Sequence, residues 1–265
     1  MTTAAGVRVG PLLRDWRQRR RLSQLDLALE AEVSARHLSF VETGRSRPSP
    51  DMVLNLAERL DIPLRERNRL LLAAGYAPVY EQHALDDPEM APVRDAIQLV
   101  LAGHEPYPAL VVDGAWEMLA ANRAVALLTE GVAEELLAPP LNVLRASLHP
   151  HGVAPRIVNL GEWRAHVFGR LERQIAVSGD AALAALLEEL RAYPGPEAPA
   201  NARHDIAVPL RLDSSVGELA FISIVATFGT AVEITASELS IESFFPADRQ
   251  TAEAVRSYVE RLPPR

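Results

Sequence analysis

Apolar residues in the first 75 positions recur every three or four places between capping residues, and this pattern predicts about five short helices. The first covers roughly residues 9–20, with Leu12, Leu13 and Trp16 inward and RQRRR at its end, where cations suit a helix C-terminus. Ser23 opens the second: SQLD places an acid three residues after the serine, a capping box, and Leu25, Ala28 and Leu29 follow at helical spacing. Val33 lies in a short turn, and Ser34 caps the third helix, which stops at Gly44. Ser49 caps the fourth, with Pro50 at its first position and Val53, Leu56, Ala57 and Leu60 as its apolar stripe. A fifth, LRERNRLLLAAG, closes at Gly75. Helices this short need one another's apolar faces to persist.

The third helix has two faces. On a wheel of ~100° per residue, Ala35, Leu38 and Val41 share the buried arc, and Arg36, Phe40 and Thr43 lie opposite, flanked by His37 and Ser39. That outward face suits a DNA major groove. Arginine bonds guanine edges in two places, histidine and serine reach phosphates or bases, and an apolar side chain meets a thymine methyl. For Phe40, packing on a neighbouring helix or on the rest of the protein is the competing assignment. Ser23 and Gln24 open the preceding helix, where donors can hold phosphates, and Arg45 and Arg47 follow the third helix, placed for the DNA backbone. Helix, tight turn and outward-faced helix make a helix-turn-helix arrangement.

Residues 76–92 carry three prolines and several acids and read as a linker or docking segment, a short helix within it being the alternative. Beyond residue 93 the period changes. PVRDAIQLVLAGH predicts a helix; PALVVD and WEMLAAN predict two strands joined by a tight turn at Gly114. A short helix, NRAVALLTE, and two longer ones at about 161–177 and 180–192 follow. IAVPLRLD, GELAFISIVATF and AVEITASELSIESFFP then read as three strands, rich in Val, Ile, Thr and Phe, before a last helix at about 248–261. Two strands, helices, then three strands describe an α+β domain, an antiparallel sheet with helices on one side.

Charge sharpens this division. Residues 1–79 hold 13 arginines against nine acids, whereas the remainder holds 14 against 26, within a total of −8. A basic module on an acidic body predicts that the N-terminal part meets an anion. With 48% hydrophobic and 23% charged residues, both parts can build cores. The absence of cysteine excludes disulfides, thiolate zinc sites, iron–sulfur clusters and cysteine nucleophiles, and fits a reducing cytoplasm. The absence of lysine excludes a Walker-type loop and a Schiff-base lysine. No secretory signal is visible, and no window approaches the ~18 apolar residues of a membrane span, so no membrane partner is expected.

The stretch RLSQLDLALEAEVSARHLSFVETGRSRPSPDMVLNLAERLDIP resembles the helix-turn-helix of the XRE (Cro/repressor-like) family. The matching features are Ser23, Gln24, Leu27 and Ala28, then Val33 and Ser34, Glu42 and Gly44, and Arg47 to Ser49. The resemblance covers about residues 9–75. It implies a lambda-repressor-like all-α domain whose third helix reads bases from Ser34 and Ala35 onward, with Gln24 at a phosphate. HEPYPALVVDGAWEMLAAN (104–122) and LHPHGVAPRIVNLGEW (148–163) resemble the ligand-binding domain of MmyB-like transcription regulators, over roughly residues 93–262. That resemblance implies a PAS-like sensor domain, an antiparallel sheet with flanking helices, and a bound fatty acid or other apolar small molecule. The expected organisation is a DNA-binding domain at 1–75, a connecting segment at 76–92 and a sensor at 93–265.

Candidate pocket residues are Tyr107, Trp116, Asn122, His149, Arg156, Asn159, Trp163 and His166. Among them Arg156 is the candidate for two-point contact with a carboxylate. The competing assignment makes Trp116 and Trp163 core residues and His149 a partner of backbone groups. His149, His151 and His166 offer metal-type ligands, but HPH lacks a nearby carboxylate, and no metal or other cofactor is expected. No H-E-x-x-H or G-x-S-x-G occurs and no spacing orders a base with a nucleophile, so the chain is not expected to be an enzyme. The sequence therefore predicts a one-component transcription regulator that binds operator DNA and a small apolar ligand. It is expected to work as a homodimer, because paired recognition helices meet half-sites ~34 Å apart. The alternative is a regulator whose second domain mediates protein interaction or dimerisation without a ligand.

Overall fold

A computed structural model of the chain describes residues 8–198 and 208–263. The chain divides near residue 82 into two compact units. The first is all helical: α1 (Val9–Arg19), α2 (Gln24–Glu30), α3 (Ala35–Glu42), α4 (Pro50–Arg59) and α5 (Leu64–Ala73). Its caps follow the sequence. Ser23 and Asp26 form a reciprocal capping box, and the Ser34 and Ser49 hydroxyls accept from the backbone of His37 and Met52. Leu13, Leu27, Leu38, Leu56 and Leu70 meet in one core. Leu25 and Leu29, expected inside, are 59% and 69% exposed. The helix instead turns Leu27 and Ala28 inward, the phase that also brings Gln24 to Glu42 of α3.

That contact belongs to a buried charge network. Arg17 of α1 donates from Nε and Nη2 to the two carboxylate oxygens of Glu42, at 2.7 and 2.9 Å, and from Nη1 to the carbonyl of Leu22. Gln24 Nε2 adds a third donor to Glu42 at 2.7 Å. The bond to Glu42 holds the Arg17 guanidinium above its usual pKa. At Gly10, a Cβ would stand 2.4 Å from the carbonyl oxygen of Val41, so only glycine lets α1 approach the end of α3 this closely.

The second unit contains α6 (Ala91–His104), β1 (Ala109–Val112), β2 (Met118–Ala121), α7 (Val125–Leu128), α8 (Glu134–Leu137), α9 (Val143–Leu148), α10 (Leu160–Ser178) and α11 (Ala181–Ala192). These are followed by β3 (Leu210–Ser214), β4 (Gly217–Thr227), α12 (Ile234–Glu238), β5 (Ser240–Pro246) and α13 (Arg249–Glu260). The strands form one antiparallel sheet in the order β2-β1-β5-β4-β3. The protein is thus α+β, a helical unit followed by a five-stranded antiparallel sheet with flanking helices.

Three expectations change, and one falls outside the described residues. Helices cover both faces of the sheet, not one. Leu110 and Val112 of β1 join the main core with α10 and α11, while Ala109 and Val111 pack with Ile97 and Leu101 of α6. Residues 234–238, expected within a strand, form α12, and β5 begins only at Ser240. Ile206 and Ala207, read as the start of a strand, lie outside the described residues. In the β1–β2 turn the left-handed residue is Trp116 (φ 68°), not Gly114. Asp113 makes this possible by accepting from the backbone of both Ala115 and Glu117, which winds the turn tightly enough to drive the indole inward.

Removing one member of a buried ion pair costs about 3–5 kcal/mol, whereas replacing both by apolar residues is often neutral. Glu42→Ala is therefore expected to lower urea stability by about that amount, and Arg17→Met with Glu42→Leu to recover most of it. Equilibrium denaturation followed by circular dichroism measures both.

Candidate functional site

Two arrangements concentrate chemistry. The first is the outer face of α3. Gly44 (φ 73°) turns the chain back, and the Phe40 carbonyl accepts from the backbone of Arg45 and Ser46. This brings the Arg45 guanidinium 6.0 Å from the centre of the Phe40 ring, while Arg36 lies 5.4 Å from the same ring. Phe40 is half-buried and carries two exposed arginines, each such contact contributing about 0.5–1 kcal/mol at an exposed site. The ring thus pre-orders two guanidinium forks side by side on one helical surface.

The other candidates on this unit divide by their partners. His37 and Ser39 are half-buried beside that face, and Ala35 is half-buried against the core. The hydroxyl of Thr43 donates back to the carbonyl of Ser39 at 2.7 Å. Ser23 and Ser34 spend their side chains as helix caps. The amide nitrogen of Gln24, expected at a phosphate, is instead committed to Glu42. Arg47 is drawn away from α3. It donates to the carbonyls of Ala74 and Gly75 at 2.9 and 3.1 Å and lies over the Tyr76 ring, closing the end of α5. Arg36, Phe40 and Arg45 are therefore the cluster that the fold leaves facing outward.

The second arrangement is a cavity of about 90 Å³ in the sheet-containing unit. Its wall is mostly apolar, with Leu110, Leu144, Val153 and Phe244 among its members. Helix α10 supplies Trp163, His166, Val167 and Arg170, residues at i, i+3, i+4 and i+7 on one face. Trp163 donates to the Ser147 hydroxyl at 3.0 Å, and the His166 ring stacks on it with centroids 5.3 Å apart. Burial pushes the His166 imidazole below its usual 6.5, and the nearby cations Arg170 and Arg173 push it the same way. Opposite, Trp116 lies under the Arg170 guanidinium at 4.2 Å and donates to Gln174 at 2.8 Å. Arg170 also bonds the buried Glu242 of β5 at 3.0 Å.

Of the eight expected pocket residues, the fold brings Trp116, Trp163 and His166 to this cavity. The other five are tied elsewhere. Asn122 is buried and bonds Ala109, Leu101 and Tyr107, joining α6 to β1. Tyr107 accepts from Arg256 of α13. His149 accepts from the backbone of His151 and meets the edge of Tyr193. Arg156, the expected carboxylate holder, donates instead to the carbonyl of Leu128 at the end of α7 and pairs with Glu130. Asn159 links the start of α10 to Pro209 and Arg211.

Sequence reasoning missed Arg170 and Glu242, and both left a trace. Arg170 follows Trp163 and His166 at helical spacing. Glu242 shares the inward register of β5 with Phe244, where an acid needs a cation.

Residues 13–67 match the helix-turn-helix family, and residues 93–257 match the MmyB-like transcription regulator ligand binding domain. No curated protein is significantly similar to the chain.

A histidine held neutral binds fewer protons in the folded chain than in the unfolded one, so stability falls as pH drops through 6.5 and levels off below the lowered folded value. Nuclear magnetic resonance is expected to show His166 titrating below 6.5. In His166→Gln the loss of stability on mild acidification is expected to shrink.

Proposed function

The chain belongs to the MmyB-like transcription regulators, in which a DNA-binding helix-turn-helix accompanies a ligand-binding domain, and from that premise we propose a one-component regulator whose DNA affinity answers to a small apolar ligand. The mostly apolar cavity carries this reading. A sheet and helices wrapped around a small cavity also support describing the sensor as PAS-like. At about 90 Å³ the cavity is smaller than the ~150 Å³ void that admits benzene. A fatty-acid-like ligand therefore enters by parting the cavity walls, and this displacement is the means by which binding alters the domain.

On the DNA side, Arg36 and Arg45 supply the forked donors that read guanine edges or clamp phosphates, and Phe40 holds them in place. The regulator acts in the cytoplasm as a homodimer whose recognition helices address half-sites ~34 Å apart. No helix among the described residues is long and apolar enough to cross a membrane.

Fluorescence anisotropy on a selected operator tests the interface. Affinity is expected to fall steeply with salt, and Arg36→Ala and Arg45→Ala each to weaken binding by about tenfold or more. Arg47→Ala is expected to show its main effect as lost thermal stability, since its bonds go to the end of α5. Unchanged affinity in both Arg36→Ala and Arg45→Ala would sink the docking scheme. Native mass spectrometry of the purified chain tests the sensor: a co-purifying small mass supports it, and a chain that neither carries nor binds a small molecule points to an interaction module.

A further inference from the structure

Arg164 is a buried cation without a counter-charge. It follows Trp163 on α10 but lies outside the lining of the apolar cavity, and it is 8% exposed. Arg17 of the helical unit is equally buried, at 8%, and holds both oxygens of Glu42. Arg164 has no such bond: its Nη1 is buried with no hydrogen-bond partner among the described residues. The Phe168 ring lies 5.2 Å from its guanidinium carbon, a weaker compensation than a carboxylate. Among the described residues no acid answers it. Glu162 bonds Asn159, Glu197 is exposed, and burial alone pulls the guanidinium below its usual pKa. Nor does a second cation crowd it. Arg170 is bonded to Glu242, and Arg173 stands on roughly the opposite side of α10 at ~100° per residue.

The chain leaves room beside this guanidinium. A Cβ at Gly195 would stand 3.1 Å from Nη1 and 3.2 Å from Nε. Gly195 is not among the left-handed residues, so its backbone does not demand glycine; what the missing side chain supplies is space against Arg164. Pro194, Gly195 and Pro196 are all exposed, so this space lies under a thin outer layer.

We propose that Arg164 anchors a second small-molecule site on the sheet-containing unit, separate from the apolar cavity, and that its ligand is a small carboxylate. An ion held out of water needs an opposite charge and hydrogen bonds. A carboxylate presents two oxygens to the guanidinium fork, and its single charge balances the single cation. A dianion such as sulfate leaves an excess negative charge in low-dielectric surroundings, with no second cation to meet it.

The Gly195 amide, set between two residues that have no N–H, is the reporter. Amide proton–nitrogen spectra of the full chain are recorded while chloride is replaced by acetate, or by sulfate, at constant ionic strength. Acetate is expected to shift the Gly195 amide saturably, at least about tenfold more tightly than sulfate, a difference of about 1.4 kcal/mol. It is also expected to raise the melting temperature. Arg164→Met removes the unpaired charge and is expected to melt no lower than the wild type in chloride and to lose both acetate effects. Gly195→Ala fills the space and is expected to lose the acetate-dependent rise in melting temperature; where Arg164→Met does not fold, this variant decides. Acetate effects that persist in either variant place binding elsewhere and overturn the assignment. Sulfate binding as tightly as acetate overturns the carboxylate class. A Gly195 amide unmoved throughout the replacement overturns the site itself, and the apolar-ligand reading of the cavity stands apart from all three outcomes.

Discussion

The DNA-binding unit hangs on one buried ion pair. Glu42 sits at the end of α3 with its side chain 1% exposed, and three donors from two other helices converge on it. Arg17 reaches it from α1 and Gln24 from α2, so the carboxylate fixes the mutual orientation of the three helices. Gly10 reinforces the arrangement by letting the backbones of α1 and α3 touch. A helix of eight residues cannot hold its own angle in solution. What makes the outward face of α3 a usable surface is that its inward end is pinned by charge and its middle by Leu38 and Val41.

The sheet-containing unit has a second buried pair, and the contrast between the two is informative. Around Glu42 both oxygens are bonded, the guanidinium is engaged through three nitrogens, and nothing remains to recruit a ligand. Around Glu242 the compensation is partial, with one bond to Arg170 and an open oxygen beside a void. A satisfied pair closes a core, whereas the second stands at a cavity wall. The same chemical device thus closes the core of one unit and lines the cavity of the other.

Trp116 shows how local strain serves the cavity. Its left-handed backbone conformation is unfavourable for a bulky residue, and the two bonds to Asp113 hold it there. The result is an indole lying flat under Arg170, with its nitrogen held by Gln174. Gln174 in turn donates to the carbonyl of Gly114, closing a loop of contacts between the β1–β2 turn and α10. A ligand that parts these walls must disturb this loop.

By itself, the sequence determined the helical unit and its caps, the turn-joined strands β1 and β2, the long helices α10 and α11, and the placing of Arg36 and Phe40 opposite Leu38 and Val41. These follow from interactions spanning only a few residues: a serine to a backbone amide three positions on, or a side-chain period of 3.6 or two. Tertiary structure decided everything that needed a distant partner. It turned Leu27 rather than Leu25 inward and covered the sheet on both faces. It took Arg47 to the end of α5 and Arg156 to the end of α7, because a long guanidinium goes to whichever carbonyls the fold leaves unpaired. And it made Arg170 and Glu242, 72 residues apart, the charged centre of the cavity. Residue type alone marked tryptophans, histidines and arginines as pocket candidates; only the packed sheet and α10 determined which of them face the void.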